Sequence, residues 1–167
     1  MELKQYQQAV LNDLAQYIAI LKEQESNHKA FSTYWKQKGI TLHQGEETFH
    51  PYCDTMNGAP NMTIKVPTAG GKTFIACNAI RTIFDAMPVN RTKVVAWFVP
   101  SDTILKQTYE NLKNPQHPYR QRIDTLFNGR VEVYDKQALL FGQNFNPTII
   151  KEQLSIFVLS IQSFATK

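Results

Sequence analysis

The chain has 167 residues, 43% of them hydrophobic and 19% charged, an ordinary globular composition with enough length for one domain and a sizeable core. Eighteen basic against 14 acidic residues leave a net charge of +4, compatible with a polyanionic partner without establishing one. Two cysteines without repeated spacing argue against a disulfide framework, no apolar run reaches membrane-spanning length, and the opening Met-Glu-Leu-Lys-Gln-Tyr lacks a signal peptide's apolar core, so a cytoplasmic setting is expected.

In chain order, Tyr6, Val10, Leu14, Tyr17, Ile18 and Leu21 recur at helical spacing and predict a helix over residues 3 to 23. Ser26 is a cap for a second helix carrying Phe31, Tyr34 and Trp35, which Gly39 ends. Those aromatics read as core or partner-facing. Residues 39 to 61 have little periodicity and form a long loop. Met62 to Val66, between Pro60 and Pro67, predicts a short strand, and an apolar-periodic helix follows from Lys72 to Met87. Val94 to Val99 predicts a buried strand. Ser101 or Asp102 then caps a helix to Lys113, and a short helix is expected at Tyr119 to Leu126. A strand at Val131 to Val133, a turn or helix after Asp135 and an apolar strand at Gln153 to Leu159 complete the pattern. Strands alternating with helices predict an α/β fold with a mostly parallel sheet flanked by helices.

The segment Pro67-Thr68-Ala69-Gly70-Gly71-Lys72-Thr73 matches the end of the general phosphate-loop pattern, with Val66 where that pattern has its leading glycine. The chemistry is well suited to a triphosphate. Gly70 and Gly71 let the backbone bend close to the anion. The following helix presents its N-terminal dipole, the Lys72 ammonium reaches outer phosphates, and the Thr73 hydroxyl is a Mg²⁺ ligand. A nucleoside triphosphate and Mg²⁺ are therefore the expected ligands of Pro67, Thr68, Ala69, Gly70, Gly71, Lys72 and Thr73.

This loop resembles motif I of superfamily 2 helicases and translocases, a resemblance that implies ATP as the nucleotide, with Lys72 and Thr73 in the catalytic roles. Leu3-Lys-Gln-Tyr-Gln-Gln-Ala9 resembles the family's Q motif, which implies that Gln7 recognises adenine through the N6 and N7 edge. Val94 to Leu112, with Val99-Pro100 and Leu105-Lys-Gln107, resembles motif Ia. The resemblance implies nucleic-acid backbone contacts from Ser101, Thr103, Lys106 and Gln107. Val158-Leu-Ser-Ile-Gln-Ser-Phe164 resembles the segment after the family's next strand, implying further contacts from Ser160 and Gln162. Trp97-Phe-Val-Pro-Ser101, the His117-Pro-Tyr-Arg stretch and Pro51-Tyr-Cys-Asp54 make the chain most similar to the motor subunit of type III restriction endonucleases.

The resemblance implies an incomplete RecA-like domain across residues 1–167, with a helical Q-motif region and loop at 1–60 and the phosphate-loop core at 61–167. It implies an ATP-dependent translocase on double-stranded DNA, working with a modification methyltransferase subunit and no membrane. No Asp-Glu pair occurs in the chain. The acidic Mg²⁺-binding box, the second motor domain and any nuclease domain are thus expected elsewhere in a longer parent, and the piece alone is expected to be inactive, with an exposed sheet edge. Two alternatives are another superfamily 2 helicase acting on DNA or RNA and a non-motor phosphate-loop nucleotide-binding module. His50 and Cys53 are too few for a zinc site, Cys77 reads as a small core residue, and Arg120, Arg122 and Arg130 as a basic surface.

Overall fold

A computed structural model describes residues 1–40, 52–88, 91–142 and 148–164. The chain divides into two compact units, one spanning Leu3–Ile75 and the other Ala76–Lys167 together with Met1–Glu2.

The first unit opens with α1 (Gln5–Glu23) and α2 (Asn27–Gln37). Ser26 caps α2 by accepting the Lys29 N–H at 3.3 Å, and Gly39 follows in the left-handed conformation with φ +76°, which a residue lacking Cβ adopts without strain. Leu11, Leu14, Tyr17 and Ile20 bury one stripe of α1. Tyr17, Ile20 and Ala30 form a cluster joined by Leu21, Phe31 and Tyr34, with the Tyr17 and Tyr34 rings edge-to-face at 5.5 Å. Of the two readings, core or partner-facing, Phe31 and Tyr34 thus take the packing one. The buried stripe is rotated from the expected one, for Tyr6 lies outward and Gln7 lies inside.

Met62 to Val66 forms no strand. It runs exposed as far as Lys65, with only Val66 buried. A strand needs a hydrogen-bonded partner as well as a suitable pattern, and the sheet pairings do not include this segment. Just before it, Asn61 ties the chain to itself: its Nδ2 donates to the Cys53 carbonyl at 2.8 Å and its N–H to the Tyr52 hydroxyl at 3.2 Å.

The second unit is built on three parallel strands, β1 (Lys93–Val99), β2 (Val131–Tyr134) and β3 (Leu154–Ser160), in the order β1–β3–β2. Helices α3 (Lys72–Asp85), α4 (Asp102–Lys113), α5 (Pro118–Leu126) and α6 (Lys136–Phe141) alternate with them. This is an α/β architecture with an all-parallel sheet flanked by helices, as expected of a partial RecA-like domain. The central strand β3 is buried along its whole length. Leu154, Ile156 and Val158 enter one core with Cys77, Ile80, Leu112, Ile123, Phe127, Val131 and Val133. Phe157 and Leu159 enter another with Tyr134 and Ala138, where the Tyr134 and Phe157 rings stack at 5.0 Å. A parallel strand covered on both faces reads as a nearly continuous apolar run, here Ile156 to Leu159 flanked by the buried Ser155 and Ser160.

β1 departs from expectation. Among the described residues it pairs with β3, and Val94 and Phe98 are 46% and 51% exposed. Val95 and Trp97 pack against the core while the alternate Val94, Ala96 and Phe98 are exposed, so one face of the strand is covered and the other is not. The expected basic surface of Arg120, Arg122 and Arg130 is also absent. Arg120 Nε lies 2.9 Å from both Asp124 carboxylate oxygens while its Nη2 donates to the Val131 carbonyl at 2.9 Å, and Arg122 donates to Asn78 Oδ1 at 2.7 Å. Arg120 is thus ion-paired within the unit and Arg122 is half-buried against a neutral amide. Arg130 alone of the three is exposed.

Cys77 is fully buried, and burial pushes its thiol from the ordinary value near 9 up to about 12. Cys53 is exposed. A thiol reagent at pH 8 is therefore expected to label one cysteine per native chain rapidly and Cys77 only on unfolding. Because the folded state holds the Cys77 proton more tightly, the associated stability is complete below pH 9. It is lost as pH climbs towards 12, so urea midpoints should fall across that window. Rapid labelling of both thiols in the native protein would contradict this burial.

Among the described residues no helix is long and apolar enough to cross a membrane.

Candidate functional site

The Pro67–Thr73 loop lies within the first unit and opens directly into α3. Its backbone turns sharply. Gly70 N–H donates to the Pro67 carbonyl at 3.0 Å, and the Lys72 ammonium donates to the same oxygen, also at 3.0 Å. Ala69 has φ +61° and Gly71 φ +72°. A left-handed alanine is strained by about 1–2 kcal/mol, and such strain persists where surrounding contacts hold it.

Both glycines are required by their surroundings. A Cβ on Gly70 would fall 2.6 Å from Val66 Cγ1 and 2.9 Å from the Pro67 carbonyl oxygen. Val66, standing where the general motif has glycine, is buried against this position, which gives the departure from the motif a packing reason. A Cβ on Gly71 would fall 2.6 Å from Gln7 Nε2.

Gln7 is thereby brought to the loop across 63 residues of sequence. It is 5% exposed, its Oε1 accepts the Lys4 N–H at 2.9 Å, and its Nε2 donates to the Gly70 carbonyl at 3.2 Å. A backbone N–H on one side and a backbone carbonyl on the other fix which way the amide faces. One residue earlier, the Tyr6 hydroxyl donates to the same Gly70 carbonyl at 2.7 Å. Sequence reasoning placed Tyr6 on a core face and missed this contact, which has no local signature.

The donor set suits an anion. The first turn of α3 leaves its N–H groups without helical acceptors, Lys72 is an exposed cation, and Thr73 carries a hydroxyl in the same turn. For a divalent cation the loop offers the Thr73 oxygen, leaving most ligands to phosphate oxygens and water, the usual pattern for Mg²⁺. Among the described residues no group of three or more His, Cys, Asp and Glu side chains is placed to hold a metal. His50 lies outside the described residues.

In the second unit, the residues expected to meet nucleic acid lie at or just beyond the carboxyl ends of two adjacent strands, β1 and β3. Val99 and Ser160 are paired at the ends of β1 and β3. Ser101 follows the first strand and Gln162 the second, at the carboxyl ends of parallel strands where ligands of open α/β sheets bind. Ser101 caps α4, its oxygen accepting the Ile104 N–H at 3.4 Å, while its own hydroxyl proton remains a potential donor. Thr103, Lys106, Gln107 and Gln162 are exposed, whereas Ser160 is buried. A separate recess of about 410 Å³, lined by Lys113, Glu132 and Asp135 among others, contains none of these residues.

A protein-family model described as "Type III restriction enzyme, res subunit" matches residues 1–167. No curated protein and no solved structure matches the chain.

Proposed function

Since the chain belongs to the type III restriction enzyme res subunit family, a family of helicase-like ATP-hydrolysing motors, we propose that it carries the ATP-binding part of a DNA translocase. The Pro67–Thr73 loop holds the triphosphate. The observation that carries this reading is the clamped bend itself: Ala69 and Gly71 left-handed, Gly70 fastened to α1, and the chain entering α3 immediately afterwards.

In this reading the N–H groups at the start of α3 bind phosphate oxygens and the helix dipole favours their charge. Lys72 leaves the Pro67 carbonyl and pairs with the outer phosphates. The Thr73 hydroxyl would help hold Mg²⁺, which would supply positive charge to the phosphates. Gln7 keeps one amide N–H and one oxygen lone pair beyond its bonds to Gly70 and Lys4. That remaining donor–acceptor pair complements adenine N7 and N6–H₂, and it mismatches guanine, which offers two acceptors. In the second unit Ser101, Thr103, Lys106, Gln107 and Gln162 contact DNA phosphates, and a modification subunit completes the assembly in the cytoplasm. The buried Ser160 supports that edge from within.

The reading is tested by titration with ATP and GTP in the presence of Mg²⁺. ATP is expected to bind about 10-fold or more tightly, the discrimination of a well-placed bidentate contact. Equal affinities would remove Gln7 from base recognition, and GTP preference would favour a non-motor nucleotide-binding module.

A further inference from the structure

We propose that Tyr6 is a positioning residue for the phosphate loop, its hydroxyl setting the orientation of the Gly70–Gly71 peptide. The proposal rests on the reading of Pro67–Thr73 as a triphosphate site and adds the element that holds that site in shape.

Tyr6 is 42% exposed, so core burial does not explain its place. Its hydroxyl nevertheless reaches one particular backbone oxygen, the Gly70 carbonyl, at 2.7 Å. The Gln7 amide reaches the same oxygen at 3.2 Å. The two donors together occupy both lone pairs of that carbonyl, and the tyrosine bond is the shorter.

The consequence follows from peptide geometry. The described chain contains no cis peptide bond, and in a trans peptide the carbonyl and the next N–H point in opposite directions. Anchoring the Gly70 carbonyl on α1 therefore aims the Gly71 N–H away from α1. Two features leave this peptide's orientation to outside contacts: Ala69 just before it is held at φ +61°, a strain that persists only where surrounding contacts impose it, and Gly71 at φ +72° has no Cβ to limit its rotation. Tyr6 supplies this restraint. Gln7 is bonded to Lys4 as well and keeps its remaining groups for the base.

The test is Tyr6→Phe, which keeps the ring and removes only the hydroxyl. The probe is inorganic tripolyphosphate with Mg²⁺, which has no base to recognise, alongside ATP and GTP. Tripolyphosphate and ATP are both expected to bind about 3- to 10-fold more weakly, the loss of one hydrogen bond. The ATP-to-GTP ratio should stay as in the wild type, because Gln7 is intact. Wild-type affinity for tripolyphosphate in the variant would overturn the proposal. So would a lowered thermal midpoint with unchanged binding below it, which marks a merely structural hydroxyl. A changed base preference with unchanged tripolyphosphate binding would reassign Tyr6 to the base and also overturn it. If the wild-type protein binds neither ATP nor tripolyphosphate, the phosphate-loop reading itself fails, an outcome distinct from failure of Tyr6 alone.

Discussion

Replacing Lys72 with alanine is expected to weaken ATP binding by about 10- to 100-fold while leaving the fold unchanged. Two features separate these effects. Lys72 is exposed, and among the described residues its side chain's hydrogen bond is to the Pro67 carbonyl at 3.0 Å, so its removal opens no cavity and strands no buried charge. Alanine at the first position of α3 is also at least as good a helix former. Against a triphosphate the ammonium is a charge-assisted donor worth about 1.5–3 kcal/mol, which corresponds to the stated factor. Isothermal titration with ATP and Mg²⁺, paired with a thermal melt, measures both sides. Unchanged affinity with an unchanged melt would remove Lys72 from the site and with it the reading of the loop. Lys72→Arg should recover part of the loss at most, since the guanidinium is a planar fork and the loop asks for a compact point charge.

The parts of this fold that were legible in the sequence are those set by local chemistry. Ser26 and Ser101 cap the helices predicted after them. Asp135 does the same for α6 by accepting the Ala138 N–H at 3.0 Å. Each cap is a short side chain bonding a backbone group three residues away, so the signal and its consequence lie in one window. The strands of the second unit were legible for a related reason: apolar runs near Val94 and Ile156 declare themselves, and Val131-Glu132-Val133 alternates as a strand does. What was not legible depends on partners. Met62 to Val66 has a strand's pattern but pairs with no strand among the described residues. Val94 and Phe98 have a core strand's composition at a sheet edge.

The candidate site divides along the same line. Gly70, Gly71, Lys72 and Thr73 announced themselves as a contiguous motif. Gln7 was reached only through its resemblance to a family pattern, and on hydropathy alone it would have been an outward-facing polar residue. It is inside because two backbone groups, Lys4 N–H and Gly70 C=O, satisfy its amide, which removes most of the cost of burying it. Tyr6 was misplaced for the complementary reason. Its ring counted as apolar, while its hydroxyl has a partner 64 residues away. The arginines of α5 repeat the lesson, since charge counted along the chain does not reveal that Asp124, Asn78 and the Val131 carbonyl absorb it.

Gly71→Ala is the substitution expected to disable the site by geometry alone, without touching charge. Gly71 has φ +72°, where an alanine is disfavoured by about 1–2 kcal/mol. Its new Cβ would also lie 2.6 Å from Gln7 Nε2, well inside contact distance. Gln7 cannot yield without stretching its bonds to Gly70 and Lys4, and a lost hydrogen bond in a buried setting costs about 1–3 kcal/mol more. Part of this is relieved if the loop leaves its left-handed turn, and that relief rotates the Gly71 N–H away from its place at the head of α3. ATP affinity is therefore expected to fall about 10- to 100-fold, accompanied by a lower thermal midpoint, in contrast to the unchanged melt of Lys72→Ala. Asparagine is tolerated in left-handed backbone better than alanine, yet it carries the same Cβ. A Gly71→Asn variant that binds as weakly as Gly71→Ala would assign the defect to the collision with Gln7. One that regains affinity would assign it to backbone strain. Wild-type binding by Gly71→Ala would mean that neither the close approach of Gln7 nor the left-handed turn governs the nucleotide.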